Sequence, residues 1–308
     1  MSVADERAER LAQEPLRNIS SQRGFWSGTW DSLKDLWSRR QLLALLVRRE
    51  IRAKYKNSAL GLLWSLIRPL IQLLIYYIVI GKFLRIGQGI PYYVILLYAG
   101  LVLWSLFQEI VASGTSSILA NVGIVKKTRL PREIFPLASV GSALFNFAIQ
   151  LAILIVLVLF TSGFTPSINF LHLPLAILVV LVWGTACAFF LSALNVYYRD
   201  VQYLTEVALM IGFYASPIIY PWSWVQSYFM TMSSGSIIQE IYLANPLTLA
   251  VMGMQRVLWN GDVDMDTPFV WPSFLAYRLL IAFVVGLIVL WVSQRVFARL
   301  QRNFAQEL

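Results

Sequence analysis

Six long apolar stretches constrain this sequence more than any other feature. Each is long enough to cross about 30 Å of hydrocarbon at a helical rise of about 1.5 Å per residue. They are Leu62–Leu84, Tyr92–Asn121, Phe135–Phe160, Leu173–Tyr197, Val201–Tyr220 and Phe274–Phe297. Only 13% of the 308 residues are charged, whereas 58% are hydrophobic. We therefore predict an all-α membrane protein with six transmembrane helices.

Basic residues are concentrated on one side of these spans. Residues 1–61 hold twelve lysines and arginines, and the loop Val122–Ile134 holds four more. The opposite side instead carries an acidic cluster within residues 262–266. Because short basic loops remain in the cytoplasm, we predict that both termini are cytoplasmic. This asymmetry accounts for the net charge of +9, so nucleic acid is not an expected partner.

The N-terminal region contains two kinds of segment. Residues 1–23 are polar and are predicted to form a flexible cytoplasmic tail, while residues 24–61 carry an aromatic stripe. The members of this stripe are Trp26, Trp30, Leu33 and Trp37. Their spacing predicts an amphipathic helix, and tryptophan favours an interfacial position on the cytoplasmic leaflet over packing against a partner.

The last outer loop, residues 221–272, contains two apolar pieces that are too short to span the membrane. They are Ile237–Leu243 and Leu247–Trp259, and the dipeptide Asn245-Pro246 separates them. We expect short re-entrant or interfacial helices here. The remaining boundaries define a six-span domain, residues 62–297, and a cytoplasmic C-terminal tail, residues 298–308.

The sequence lacks the common catalytic motifs. It contains no GxxxxGK[ST] phosphate loop and no GxSxG nucleophile elbow. The single cysteine, Cys187, excludes an internal disulfide, and the single histidine, His172, excludes an HExxH zinc site. We therefore predict a chain that is not an enzyme and that has no catalytic residue, metal ligand or cofactor of its own.

Two predicted spans carry a stripe of polar and aromatic residues, which recur every three or four positions. The first span has Trp64, Arg68, Gln72 and Tyr76, and the fifth has Tyr203, Glu206, Met210 and Tyr214. A charged side chain facing lipid is costly, so each stripe is expected to face protein or a water-filled path. Periodicity alone leaves packing and path-lining open, although aromatic faces suit a sugar polymer.

Further polar residues lie on the second and third spans. Ser139, Ser142, Asn146 and Gln150 suit hydrogen bonds between helices. Glu109 on the second span either relays protons or, more simply, pairs with a basic residue.

Two cytoplasmic connections are candidates for docking a partner. The first is the segment Lys126, Lys127, Thr128, Arg129, Leu130, Pro131, Arg132 and Glu133, and the second is the turn at Arg199 and Asp200. The alternative is that these positive charges only fix the orientation of the spans.

Several segments resemble ABC-2-type permeases that export cell-surface polysaccharides. The first is Leu46–Trp64, LVRREIRAKYKNSALGLLW, which Pro69-Leu70 follows. The second is Asn195–Val201, NVYYRDV, with SPIIY at Ser216–Tyr220. A third is Asn245-Pro246-Leu247 with Arg256. The likeness extends from about Arg39 to Arg302, and the order and topological positions of these pieces make it specific.

This resemblance implies a homodimer of the permease with two ATP-binding-cassette ATPase subunits, which bind ATP and Mg. The cargo implied is a polyprenyl-diphosphate-linked polysaccharide of the O-antigen, teichoic acid or galactan type, moved outward across the bacterial plasma membrane. The segment 126–133 corresponds to the helix that couples to the ATPase, and the N-terminal amphipathic helix to a cytoplasmic gate.

The resemblance also suggests roles for basic and aromatic residues near the first span. Arg48, Arg52, Lys54 and Lys56 lie where a lipid diphosphate would arrive, although the positive-inside orientation of the spans alone would account for them. The stripes on the first and fifth spans would line the glycan path at the dimer interface.

Two other classes of protein compete with this interpretation. An ion-driven secondary carrier of a lipid or glycolipid would need buried ionisable residues, for which Glu109 and Glu206 are the candidates. A membrane-embedded transferase would need acid and base groups close together, and the outer loop offers acids without a convincing base.

Overall fold

The computed structural model describes residues 34, 36–55, 63–85, 89–127, 130–161, 168–232, 234–259 and 269–308. The chain divides into two compact units, Met1–Ser38 and Arg39–Leu308. In the first unit, the described residues 34 and 36–38 are helical. The predicted tail 1–23 and the stripe residues Trp26, Trp30 and Leu33 lie outside the described residues.

In the second unit, all regular structure among the described residues is helical. In chain order the helices are α1 (Arg40–Tyr55), α2 (Leu63–Tyr76), α3 (Tyr93–Ser116), α4 (Val122–Lys127), α5 (Ile134–Thr161), α6 (His172–Tyr197), α7 (Val201–Tyr214), α8 (Trp222–Met230), α9 (Gly235–Leu243), α10 (Pro246–Leu258), α11 (Leu275–Leu300) and α12 (Phe304–Glu307). A π-helical segment, Tyr77–Phe83, continues α2.

Five stretches of the described chain are long and apolar enough to cross a membrane. They are Leu63–Phe83, Tyr93–Ser116, Ile134–Thr161, His172–Tyr197 and Leu275–Asn303. In hydrocarbon, a helix satisfies every interior backbone group within its own segment, which is why uninterrupted apolar runs adopt this form. These five helices confirm five of the predicted spans, with ends shifted by a few residues.

The predicted fifth span is wrong as a continuous helix. The helix α7 ends at Tyr214, and its 14 residues extend only about 21 Å. The following residues, 215–220, are not helical. Pro217 explains this ending, because proline lacks a backbone N–H and disfavours the helical conformation of the residue before it.

Nevertheless, α7 and the irregular segment after it together run the length of α3. The helix α6 ends just before α7 begins, and this end of α6 lies beside the C-terminal end of α3. There, Asn195 Nδ2 donates to the Thr115 carbonyl at 3.1 Å. Beyond α7, the Tyr93 hydroxyl at the first residue of α3 donates to the Ile219 carbonyl at 2.7 Å. The chain has therefore travelled from one end of α3 to the other.

Side chains satisfy the carbonyls of this irregular segment. The Tyr220 hydroxyl donates to the Tyr214 carbonyl at 2.7 Å. Gln255 Nε2 donates to the carbonyls of Pro217 and Leu96, at 3.1 and 3.2 Å. With the Tyr93 contact, these bonds replace the helical ones that the segment lacks, as non-helical backbone inside a membrane protein requires.

The two predicted short helices in the last outer loop are present as α9 and α10. Asn245 caps α10, since its Oδ1 accepts from the Leu247 amide at 3.0 Å, and Pro246 occupies the first turn. The two helices meet at 82° and reach the length and hydropathy of a span only as a pair. The helix α8, which precedes them, was not predicted.

The helices α3 and α6 form the centre of the bundle, and α2 lies at its edge. In the most apolar window of α3, 78% of the residues are buried, against 6% in the first span. The helix α10 is also largely buried, and Gly253 allows it to approach α6 and α11 near Ala176 and Leu279. The exposed faces of α2 and α7 are therefore among the surfaces left for lipid or a second chain, as are those of α5 and α11.

We predict that Gln255→Leu lowers the free energy of unfolding by about 1–3 kcal/mol, because it leaves the buried Pro217 carbonyl without a donor. Unfolding in a detergent titration measures this loss. Gln202→Leu, at an exposed position of α7, is the matched control and should change stability much less. Equal stability of the two variants would contradict this role for Gln255.

Candidate functional site

A cavity of about 520 Å³ lies among α1, α2, α3 and α5. Its lining combines residues from all four helices: Lys54, Trp64, Ser65, Arg68, Pro69, Glu109, Asn146 and Gln150. The cavity therefore brings together Glu109, Lys54 of the predicted diphosphate residues, and Trp64 and Arg68 of the first-span stripe.

The helix α1 reaches this cavity because it is fixed along α5 and the end of α3. Leu46 is buried, and Val47 packs so closely on Gly141 that a Cβ atom there would lie 2.6 Å from a Val47 methyl carbon. Two residues further along α1, Arg49 donates to the Asn121 side chain. Lys54, in the last turn, then points into the cavity.

Glu109 is the centre of the polar contacts in the cavity. Its carboxylate forms an ion pair with the Lys54 ammonium, and its Oε1 also accepts from Asn146 Nδ2 at 2.6 Å. The pair is partly accessible to solvent, with 36% of the Lys54 side chain and 24% of the Glu109 side chain exposed. The expectation that Glu109 pairs with a base is confirmed, and the base is Lys54.

The opposite wall offers hydrogen-bond donors and an aromatic face. The Arg68 guanidinium lies 5.7 Å from the centre of the Trp64 ring, within the range of a cation–π interaction. Gln150 Oε1 accepts from the Ser105 hydroxyl at 2.7 Å, so its Nε2 is the atom that can donate into the cavity. Two cations and one carboxylate give the lining a formal charge of +1.

A second carboxylate lies near Lys54. Burial raises the pKa of Glu50 on α1, while the charges of Lys54 and Arg49 oppose this rise. Burial thus disfavours the charged form of Glu50, and the carboxylate that forms the ion pair with Lys54 is Glu109.

Of the predicted diphosphate residues that the structure describes, one lines the cavity and two do not. Lys54 lines the cavity, whereas Arg48 and Arg52 are exposed on α1 and are not part of the lining. Lys56 lies outside the described residues.

The structure also divides the predicted glycan-path residues. Trp64 and Arg68 line the cavity, Gln72 is exposed, and Tyr76 stacks on Phe213 with ring centres 6.1 Å apart. The fifth-span stripe, Tyr203, Glu206, Met210 and Tyr214, is entirely exposed on α7. The opposite face of α7 buries Thr205, Leu209 and Phe213. This second stripe therefore lies on the face of α7 opposite the one that packs on the described helices.

Sequence reasoning did not assign Asn146 and Gln150 to this site. They were expected to bond between helices, and they do so, Asn146 with Glu109 and Gln150 with Ser105. Their spacing of four places them on one face of α5, which was the signal for a shared site.

A second candidate surface lies where α3 and α6 end. Lys126 and Lys127 are exposed there, and so are Arg199 and Asp200 in the turn between α6 and α7. Leu130 and Pro131 are half-buried. Thr128 and Arg129 lie outside the described residues.

The C-terminal segment holds the other end of this loop. Arg132 donates to the Gln301 carbonyl and lies 5.5 Å from the centre of the Phe304 ring. Buried Glu133 accepts from Gln301 Nε2 at 3.1 Å. Burial lowers the pKa of Arg132, and the charge of Glu133 opposes this shift. Arg132 and Glu133 thus fix the loop to its own chain.

Phe304 itself is fully buried in an aromatic cluster. Its ring centre lies 5.7 Å from Phe297 and 6.1 Å from Tyr197. The Tyr197 hydroxyl donates to the Leu300 carbonyl at 2.8 Å. The segment predicted as a C-terminal tail is therefore folded against α6 and the loop that precedes α5.

These features define a multi-pass helical membrane protein of the transporter class, with a polar cavity beside its first span and an exposed basic surface at one end. Residues 41–259 match the model of the ABC-2 type transporter family. The chain belongs to this family, which confirms the resemblance seen in the sequence.

Three of the similar proteins are named for the export or transport of a polysaccharide. The O-antigen export system permease protein RfbA of Myxococcus xanthus is 27% identical over 276 residues, which cover 90% of this chain and 98% of that protein. A protein of the same name from Klebsiella pneumoniae is 28% identical, covering 87% and 95% of the two chains. The polysialic acid transport protein KpsM of Escherichia coli is 23% identical, covering 79% and 89%.

We predict that Phe304→Ala lowers the free energy of unfolding by about 3–5 kcal/mol, because it empties a fully buried aromatic site. Thermal unfolding of the purified protein in detergent measures the effect. Phe160→Ala, which removes a ring that is 87% exposed on α5, is the control and should have little effect. A loss for Phe304→Ala no greater than the control would contradict the aromatic cluster.

Proposed function

We propose that this chain is the permease subunit of an ATP-binding-cassette exporter, which moves a lipid-linked cell-surface polysaccharide outward across the bacterial plasma membrane. The observation that carries this proposal is the nearly full-length similarity to an O-antigen export permease, 98% of which is covered. O-antigen is the cargo type that these relatives favour, and teichoic acid or galactan would have the same lipid-linked chemistry.

The proposed topology has six crossings, with both termini in the cytoplasm. The fifth crossing consists of α7 and the irregular segment that ends beside Tyr93. The pair α9 and α10 would then enter the membrane from the outer side and return. Both the excess of basic residues around α1 and α4 and the path of the chain along α3 support this arrangement. The N-terminal aromatic stripe is proposed to lie on the cytoplasmic leaflet as a gate.

We propose further that two copies of the chain enclose the glycan path. The face of α7 that carries Tyr203, Glu206, Met210 and Tyr214 is exposed, and so is most of α2. A mixed aromatic and charged face is unsuited to lipid, but it suits a hydrated path in which aromatic rings contact sugar C–H groups. The arrangement supports path-lining over packing within one chain, since the α7 stripe is exposed on the face opposite its buried residues.

ATP and Mg are proposed to bind on two separate ATPase subunits that contact the basic surface. Lys126, Lys127, Arg199 and Asp200 are exposed and available for this contact, whereas Arg132 and Glu133 hold the loop in position. Movement of the ATPase would then reach α3 and α5, which the loop joins. The cavity is proposed as the cytoplasmic entrance, where Lys54 and Arg68 meet the diphosphate of the cargo.

An ion-driven secondary carrier remains the alternative function. Its two candidate carboxylates differ in setting: Glu109 is held by Lys54 and Asn146, and Glu206 is exposed on α7. A carrier would need at least one of them to exchange a proton or ion during each transport cycle.

We predict that the double substitution Lys126→Glu and Lys127→Glu lowers ATP-dependent export about tenfold, since reversed charges at an interface oppose a complementary partner. The measurement compares glycolipid export with co-purification of the ATPase. Arg302→Glu, exposed in the C-terminal segment, is the control. Unchanged ATPase recovery and export in the double variant would remove this surface from the proposal.

We also predict that export requires ATP and survives collapse of the proton gradient. Inverted membrane vesicles that contain the complex should take up the lipid-linked glycan when ATP is supplied, with or without a protonophore. Uptake that stops with the protonophore and continues without ATP would instead establish the secondary carrier.

A further inference from the structure

We propose that Glu109 is a built-in counter-anion that holds Lys54 at the cavity. When the cargo binds, its anionic diphosphate replaces Glu109 as the partner of Lys54. This inference rests on the proposed function and specifies how its cargo would open the cytoplasmic entrance. The exchange transfers Lys54 from a carboxylate to a phosphate and requires no covalent step.

The chemistry of the Lys54–Glu109 ion pair favours exchange with a diphosphate. Lys54 is a single ammonium on a flexible stem, and its partner Glu109 is the carboxylate within reach in the cavity. A diphosphate carries more charge and more acceptor oxygens than a carboxylate, so it competes well for the same ammonium. Because 36% of the Lys54 side chain is exposed, an incoming anion can reach it.

The cavity already contains the other donors that an anion needs. Among the described residues, Arg68 forms no salt bridge with a carboxylate, and its guanidinium lies over the Trp64 ring. Gln150 lines the same space. With Lys54 these groups surround a cavity of formal charge +1, which attracts an anion.

Displacement leaves Glu109 with a hydrogen-bond partner. Asn146 Nδ2 donates to the same carboxylate from α5, at 2.6 Å. The displaced carboxylate is therefore not stranded without a donor, which would make the exchange costly.

The contacts of α1 limit how far the exchange moves the chain. Leu46, Val47 and Arg49 fix its first part to α5 and to Asn121. Lys54, five residues beyond Arg49, is held by its ion pair with Glu109 of α3. Release of Lys54 would thus act on the last turn of α1.

The test measures binding of farnesyl diphosphate to the purified full-length chain in nanodiscs of zwitterionic lipid by calorimetry. We expect Arg68→Gln and Lys54→Gln each to weaken binding about tenfold, the effect of one charge-assisted hydrogen bond. Glu109→Gln should tighten binding several-fold, because Lys54 no longer has a competing anion. Arg48→Gln, an exposed cation on α1 outside the cavity, is the matched control and should bind as the wild type does.

A double-mutant cycle distinguishes displacement from a general charge effect. In the Lys54→Gln background, Glu109→Gln should no longer tighten binding, because its effect acts through Lys54. Tightening of the same size in both backgrounds, or weaker binding by Glu109→Gln alone, would overturn the counter-anion role.

The wild-type protein provides a second measurement if Glu109→Gln fails to fold. Farnesyl diphosphate should shield Lys54 from amine acetylation, as seen by mass spectrometry, while exposed Lys126 remains reactive. Equal protection of both lysines, or of neither, would contradict the proposal.

Two further ligands identify the source of the anion. Inorganic pyrophosphate should bind more weakly than farnesyl diphosphate, and nanodiscs containing phosphatidylglycerol should leave the affinity largely unchanged. Equal affinity for pyrophosphate would assign the site to a free anion. Strong competition by phosphatidylglycerol would assign the site to an ordinary lipid headgroup. Either result overturns the cargo assignment. The assay needs neither ATP nor transport, so it can succeed where the exporter proposal fails, and the reverse.

Discussion

The hydrocarbon interior supplies no water to an unpaired backbone group, and the arrangement of this bundle depends on that constraint. Four long helices and the first span meet it within their own segments. The chain after α7 does not, because Pro217 ends the helix. Gln255, Tyr93 and Tyr220 supply the missing donors, and Gln255 also ties the buried helix α10 to α3. A break in one crossing is thus compensated by residues from other elements.

Polar groups from different helices also satisfy one another in the cavity beside the first span. A lysine from α1, a carboxylate from α3 and an amide from α5 satisfy one another, while Arg68 faces an aromatic ring. Each group is placed by an element that is anchored elsewhere, as Val47 on Gly141 shows for α1. The site is consequently preorganised on three sides, and its most weakly anchored component is the last turn of α1.

Much of this fold could be predicted because a run of apolar residues specifies a spanning helix by length alone. The end of α7 was missed since Ile218, Ile219 and Tyr220 continue the apolar pattern, although Pro217 was a visible stop signal. The partner of Glu109 could be named only as a base, because Lys54 lies 55 residues earlier and periodicity carries no information across helices. The contact of Arg132 with the C-terminal segment could not be predicted for the same reason, because its partner Gln301 lies 169 residues later.

That last separation has a consequence for biosynthesis. The loop around Arg132 emerges long before Gln301 and Phe304, which hold it in position. At about 5–20 residues per second, ribosomes need roughly 10–30 s to add the intervening 169 residues. During this interval the exposed basic surface beside the loop lacks its final support. A nascent chain therefore cannot present that surface in its finished form until nearly all of its helices have been made, which delays subunit assembly until insertion is almost complete.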